Sequence, residues 1–256
     1  MDNDTSNLYQ TPEARLDASI DTKGNYSGPK HVPFSLSLQW ISKGFELFKR
    51  SPGGWLLTML VGFLMSILAN FIPLVNLVYG LFMYVFVGGI FIGAQRVYEG
   101  EKFEVSYLFA GFSRYPGRLI LLGLMPLLMA MFVGVLAAVF LPAYQGFVDQ
   151  GGGSGAAVFG IILGVIMMLV TIPFMMAVWF SPVLIVLHEL PLTTAMKESF
   201  YGCARNLISL IVLMVISIIL MMIGGVLAIV GLFVVMPILF GANFAAYQDI
   251  FLTKVE

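Results

Sequence analysis

Counting histidine as neutral, the chain carries no charged side chain between Arg50 and Arg96, Arg118 and Asp149, Asp149 and Glu189, or Arg205 and Asp249. Each window holds one or two helices of about 20 apolar residues, the length that crosses a hydrocarbon core of ~30 Å. Composition points the same way. Hydrophobic residues make up 59% of the sequence and charged residues 11%, against about 25% charged in ordinary soluble domains. A soluble chain would have too little charge to cover so much apolar side chain. The sequence therefore predicts an all-α integral membrane protein with six transmembrane helices, expected at 55–71, 77–95, 119–141, 156–187, 207–222 and 229–246.

A recurring string precedes the spans. Phe45-x-x-Phe48-x-Arg50-x-Pro52-Gly53 returns as Phe109-x-x-Phe112-x-Arg114-x-Pro116-Gly117, and a degraded third copy reads Phe200-x-x-Cys203-x-Arg205-x-Leu207. In the first copy Phe34, Leu38, Ile41, Phe45 and Phe48 alternate at spacings of three and four, which lines them along one stripe of a helix. Such a helix lies in the headgroup plane with its apolar face down and its cations up. Trp40, Trp55, Phe45, Phe48, Phe109, Phe112 and Phe200 are expected as interfacial anchors. The reading is three repeated units of interfacial amphipathic helix plus transmembrane hairpin, at about 34–100, 101–189 and 190–256. Segment 1–33 is polar, has no apolar periodicity or signal-peptide core, and reads as a disordered cytoplasmic tail.

The turns at 70–76 and 224–231 lack charge, and the glycine-rich turn expected at 142–155 carries only Asp149. Lys43, Lys49, Arg50, Arg96, Lys102, Arg114, Arg118, Lys197, Arg205 and Lys254 fall on the other side of the expected spans. The positive-inside rule makes that side cytoplasmic, with both termini there. Pro173 and Pro182 mark the fourth span for a kink, because proline deletes an i→i−4 bond and clashes with the preceding turn. Small-residue pairs such as Gly89/Gly93, Gly160/Gly164 and Gly241/Ala245, with the row Ala130/Gly134/Ala138, are expected to pack helices within the bundle.

Chemistry-bearing patterns are absent from the expected spans. No Asp, Glu, Lys, Arg or His lies deep inside any of them, which argues against ion-coupled transport and intramembrane proteolysis. The single Cys203 excludes an internal disulfide and a cysteine-based zinc site. His188-Glu189 has no further ligand at a useful spacing and reads as a polar membrane edge. The segment 151–155 lacks the Lys-Ser/Thr ending of a phosphate loop. Ser66, Thr171, Ser209 and Ser217 have no base at recognisable spacing. The expectation is a non-enzymatic protein with no cofactor and no metal, and with no nucleic-acid partner because basic residues and aromatics do not interleave away from the membrane.

The tail sequence Asn7-Leu8-Tyr9-Gln10-Thr11-Pro12, the entry residues Trp40, Phe48, Pro52 and Trp55, and the closing Ala246-Tyr247-Gln248-Asp249 carry a resemblance. The chain resembles a family of uncharacterised bacterial six-helix inner-membrane proteins whose tails open with Asn-Pro-Tyr-Gln-x-Pro; Leu8 stands where that pattern has proline. More distantly it is similar to the membrane part of membrane-bound glycerophosphodiester phosphodiesterases, with no counterpart of their catalytic domain. The resemblance implies a fold and a location, and no activity.

Two functional readings remain from the residues. In the first, Arg50, Arg114 and Arg205 meet anionic lipid headgroups, or a protein partner docks, at the cytoplasmic face; cations there attract anionic lipid by about 1 kcal/mol each. In the second, the bundle is a transporter or permease component for an apolar or lipid-like substrate. Membrane lipids are the expected partners, and a protein partner or a homo-oligomer stays open.

Overall fold

The computed structural model describes residues 26–226 and 228–253. The tail motif at 7–12, Lys254 and Leu227 lie outside these. The described residues are helical throughout apart from short connections and an isolated antiparallel bridge between Tyr26 and Leu252. In chain order the elements are α1 (Phe34–Arg50), α2 (Pro52–Asn70), α3 (Pro73–Tyr98), a 3₁₀ helix (Val105–Phe112), α4 (Pro116–Asp149), α5 (Gly153–Trp179), α6 (Ser181–His188), α7 (Leu192–Arg205), α8 (Leu207–Val226) and α9 (Ala228–Phe251). Six helical segments are long and apolar enough to cross a membrane. The protein is a multi-pass, all-α membrane protein.

Proline sets several boundaries. Pro52, Pro73 and Pro116 occupy the first turns of α2, α3 and α4, where a missing N–H costs nothing and φ is already helical. Ser51 leaves helical φ/ψ between α1 and α2, and its Oγ accepts from the Phe103 amide at 3.0 Å. The break between entry helix and first span is therefore held by the loop after the first hairpin.

Each entry element packs most extensively on the last long helix of the preceding pair: the 3₁₀ helix on α3, α7 on α5, and α1 on α9, which closes a ring. Glycines allow the approach in two of these contacts. A Cβ on Gly44 would fall on the Ile238 carbonyl oxygen and within 2.5 Å of the Ala242 nitrogen, and Gly241 faces the Gly44 backbone. In α3, a Cβ on Gly89 would sit 2.7 Å from the Leu108 carbonyl oxygen. Gly93 is pressed against the Phe103 ring. These glycines pack the bundle as expected, whereas Gly134 and Gly164 meet open space.

The core sits at the end that bears the cations. All of α6 is buried, as are residues 88–97 of α3. Away from that end the helices separate: α4 buries only Leu119, Leu122 and Gly123, and α5 only Ala156 and Val178. Lipid tails are as apolar as leucine, so side chains left facing them pay no hydrophobic penalty.

The structure corrects several expectations. Helix α4 runs through Pro142 to Asp149, so the turn expected at 142–155 shrinks to the residues around Gly151 and Gly152. Proline is tolerated within a membrane helix because neighbouring groups can satisfy the backbone it frees. The fourth span stays helical through Pro173 and is interrupted at Phe180, after which Pro182 lies in the first turn of α6. Side chains stabilise that break. Ser199 Oγ accepts from the Phe180 amide at 2.9 Å, and Ser181 Oγ donates to the Ala177 carbonyl at 2.6 Å. The second entry element is a 3₁₀ helix, an alternative that suits such a short piece. Finally, 26–33 does not belong to the tail: Ser27 N and Lys30 N donate to the Phe251 and Ile250 carbonyls, both at 2.9 Å.

Candidate functional site

Two places gather polar or empty features: the cation-bearing end and a cavity at mid-depth. At the first, carbonyls left free at helix ends need partners, and helix C-termini favour positive charge. Arg50 Nη1 donates to the Val97 and Tyr98 carbonyls at 3.4 and 3.3 Å, at the close of α3. Arg118 Nη1 donates to the Glu189 and Leu190 carbonyls at 2.6 and 3.3 Å, after α6, while its guanidinium lies 4.3 Å over the Tyr115 ring. Lys30 Nζ donates to the Leu252 carbonyl after α9. Each returning hairpin thus ends on a cation from elsewhere in the chain.

Of the three arginines expected at lipid headgroups, Arg50 holds this cap and Arg205 Nη1 donates to the Pro29 carbonyl. The Arg205 carbonyl also meets His31 Nδ1 at 2.9 Å. Arg114 is also engaged within the chain. Asn206, unremarked in the sequence, fastens the same segment: its Oδ1 accepts from Val32 N at 2.7 Å and its Nδ2 donates to the Lys30 carbonyl at 2.8 Å.

The expected interfacial anchors divide. Trp40 and Trp55 are both 0% exposed. They are core residues: Trp40 Nε1 donates to Asp249 Oδ2 at 2.9 Å, and Trp55 lies on Phe103 with ring centroids 4.0 Å apart. Phe48 is buried and Phe200 half-buried. Phe45, Phe109 and Phe112 remain exposed, with Phe45 at 44%. Helix α1 buries Ser37, Trp40, Gly44, Leu47 and Phe48, and of the predicted stripe only Phe48 is among them. Phe34, Leu38 and Phe45 form an outward apolar row, with Lys49 Nζ 4.9 Å above the Phe45 ring.

His188 is buried. Its Nε2 is hydrogen-bonded to the Tyr247 hydroxyl, and its ring lies tilted against Tyr26 with centroids 4.7 Å apart. It is a core residue rather than a polar edge. Cys203 is buried too, and burial pushes its thiol up to about 12. Among the described residues no group of three or more His, Cys, Asp or Glu side chains could hold a metal ion.

The cavity lies between α2, α3 and α9 and has a volume of about 370 Å³, within the range of ~300–1,000 Å³ typical of small-molecule sites. Thr58, Gly62, Phe63, Met83, Ile90 and Phe240 are among its lining residues, and none of the lining residues is charged. Phe63, Met83 and Met236 stand exposed at its rim, while Thr58 and Ile90 close it towards the cation-bearing end. No signal in the sequence marked this space, because the first hairpin forms its walls together with α9, more than a hundred residues away. Comparison with protein-family models, curated proteins and solved structures found no match.

Proposed function

We propose that this is a non-enzymatic protein of the bacterial inner membrane that accommodates an apolar or lipid-like molecule within the bilayer, as a binding protein or permease component. The observation that carries the reading is the uncharged cavity between α2, α3 and α9. Charge inside a hydrocarbon layer is costly and marks ion or proton paths; an uncharged wall suits an apolar guest. The cations gather at the end where segment 26–33 and the close of α9 meet, which supports a cytoplasmic side for both termini. Three rounds of entry element plus hairpin, each entry seated on the preceding pair, support an origin by internal repetition.

Gly62 offers the test. A Cβ there meets nothing within 4 Å, so Gly62→Phe starts a ring from open space at the cavity wall. Wild type and variant are purified in nanodiscs and their retained lipids identified by mass spectrometry. The reading expects a lipid species lost from the variant; an unchanged complement rejects it.

A second reading has its own support in α1. The outward row Phe34, Leu38 and Phe45 beneath Lys49 suits a helix lying against anionic headgroups. Lys49→Gln together with Arg114→Gln would lower retained anionic lipid if this face binds it; unchanged retention dismisses a specific site.

A further inference from the structure

Thr58 is 1% exposed, lines the cavity, and its Oγ1 has no hydrogen-bond partner. A helical threonine ordinarily satisfies its hydroxyl on a carbonyl one turn back. An unpaired buried hydroxyl costs about 1–3 kcal/mol and calls for an explanation. One turn earlier on the same helix, the buried indole nitrogen of Trp55 is also without a partner. Across the cavity, Pro237 deprives the carbonyl of the lining residue Phe233 of its usual helical amide.

The cavity opens at the exposed Phe63, Met83 and Met236, a rim that faces hydrocarbon rather than water, so Thr58 is reached from the bilayer. The Ser66 hydroxyl, also on the wall, already donates to the Phe63 carbonyl at 2.7 Å. The guest must therefore bring its own polar atom to Thr58 while presenting hydrocarbon to the rest of the wall. It must also be uncharged at that atom, since no cation or carboxylate lines the space. Size limits the tail. At about 370 Å³ the cavity lies at the small end of the ~300–1,000 Å³ of small-molecule sites, so one chain suits it better than two.

We infer that the cavity between α2, α3 and α9 is a site for a single-chain lipid with an uncharged, hydroxyl-bearing head, such as a monoacylglycerol or a fatty alcohol. The head meets the Thr58 hydroxyl at the inner end, and the chain runs past Gly62 and Phe63 to the rim at Met83 and Met236. This rests on the proposed function above and adds the class of guest and the atom that recognises it.

The test uses the full chain in nanodiscs and a 1-acylglycerol carrying a photoreactive diazirine on its chain. Crosslinking should be competed by 1-oleoylglycerol and by oleyl alcohol, and not by oleyl phosphate. Thr58→Val, which keeps the shape and removes the hydroxyl, should weaken 1-oleoylglycerol competition about five-fold, as loss of one net hydrogen bond implies. Competition by octadecene should be unaffected in that variant. Gly62→Phe should abolish crosslinking altogether. If Thr58→Val competes like wild type, or oleyl phosphate competes equally well, the assignment of an uncharged hydroxyl head is overturned while a lipid-like guest stands. If crosslinking is unchanged in Gly62→Phe, the cavity reading falls with it.

Discussion

The Trp40 indole nitrogen donates to Asp249 Oδ2 at 2.9 Å, and the same oxygen is 2.8 Å from Lys43 Nζ. Trp40 and Lys43 lie one turn apart on α1, and Asp249 lies near the end of α9. The carboxylate is buried, so its charge is stabilised by these two donors rather than by water. Asp249→Ala removes an acceptor that two donors share. The loss should be about 2–3 kcal/mol, in the range for hydrogen bonds to charged groups. It is read as a lower unfolding temperature in detergent, with Asp249→Asn retaining part of the difference. An Asp249→Ala protein as stable as wild type would show that the contact is idle.

The closeness of α1 and α9 yields a matched pair of substitutions. A methyl on Gly44 strikes backbone atoms of Ile238 and Ala242, whereas a methyl on Gly53 meets nothing within 4 Å. Gly44→Ala is expected to cost about 1–3 kcal/mol through overpacking, and Gly53→Ala to be neutral or slightly stabilising. Thermal scans of the two proteins side by side decide it; equal midpoints would contradict the packing described.

Cys203 should be unreactive in the folded protein. Only the thiolate reacts, and burial raises this thiol from 9.0 to about 12. Maleimide at pH 7.5 should label it after denaturation in SDS and not before. The raised value also sets the sign of a pH effect. The folded state holds the proton more tightly than the unfolded state, so this stability is fully present below pH 9 and is lost as pH rises through about 12. A Cys203→Ala variant should show a shallower alkaline loss over that window.

Arg118 closes α6 through two carbonyls and lies on Tyr115, a residue with φ of 52°. Lysine cannot reproduce a planar fork that both donates and stacks. Arg118→Lys should therefore lower stability by about 1 kcal/mol, and Arg118→Ala by more. Both are measurable as shifts in detergent unfolding, and a lysine variant matching wild type would rule out the fork.

The two ends of the bundle should face opposite compartments. Single cysteines at Gly100 and Gln150, in a Cys203→Ala background, are predicted to label from opposite sides of sealed vesicles. Labelling of both from one side would refute the alternation of the six spans.

The fold class was legible because charge-free windows of spanning length have few alternatives in a bilayer. The starts were less legible: the spans are expected from 55 and 119, whereas the helices begin at Pro52 and Pro116 themselves. The burial of Trp40 was not legible. Helix α1 carries two overlapping rows at three-and-four spacing, Phe34/Leu38/Phe45 and Ser37/Trp40/Gly44/Leu47; the first reads as a bilayer-facing stripe and is exposed, whereas Ser37 and Gly44 disguise the second. The structure buries the row holding Gly44, because only that side lets another backbone approach. In the fourth span Pro173 lies inside a continuous helix, and the interruption falls at Phe180, just before Pro182, where Ser199 supplies a partner for the Phe180 amide. The cavity needed three helices at once and left no local trace beyond an ordinary threonine.

The seating of α1 on α9 has a consequence for biogenesis. The ribosome delivers α1 well before α9, so α1 waits beside the translocon without its mate while the intervening spans are made. A nascent chain stopped before Gly241 leaves the Gly44 surface and the Trp40 indole with nothing to rest on. The ring of helices therefore closes only when α9 reaches a partner made long before it.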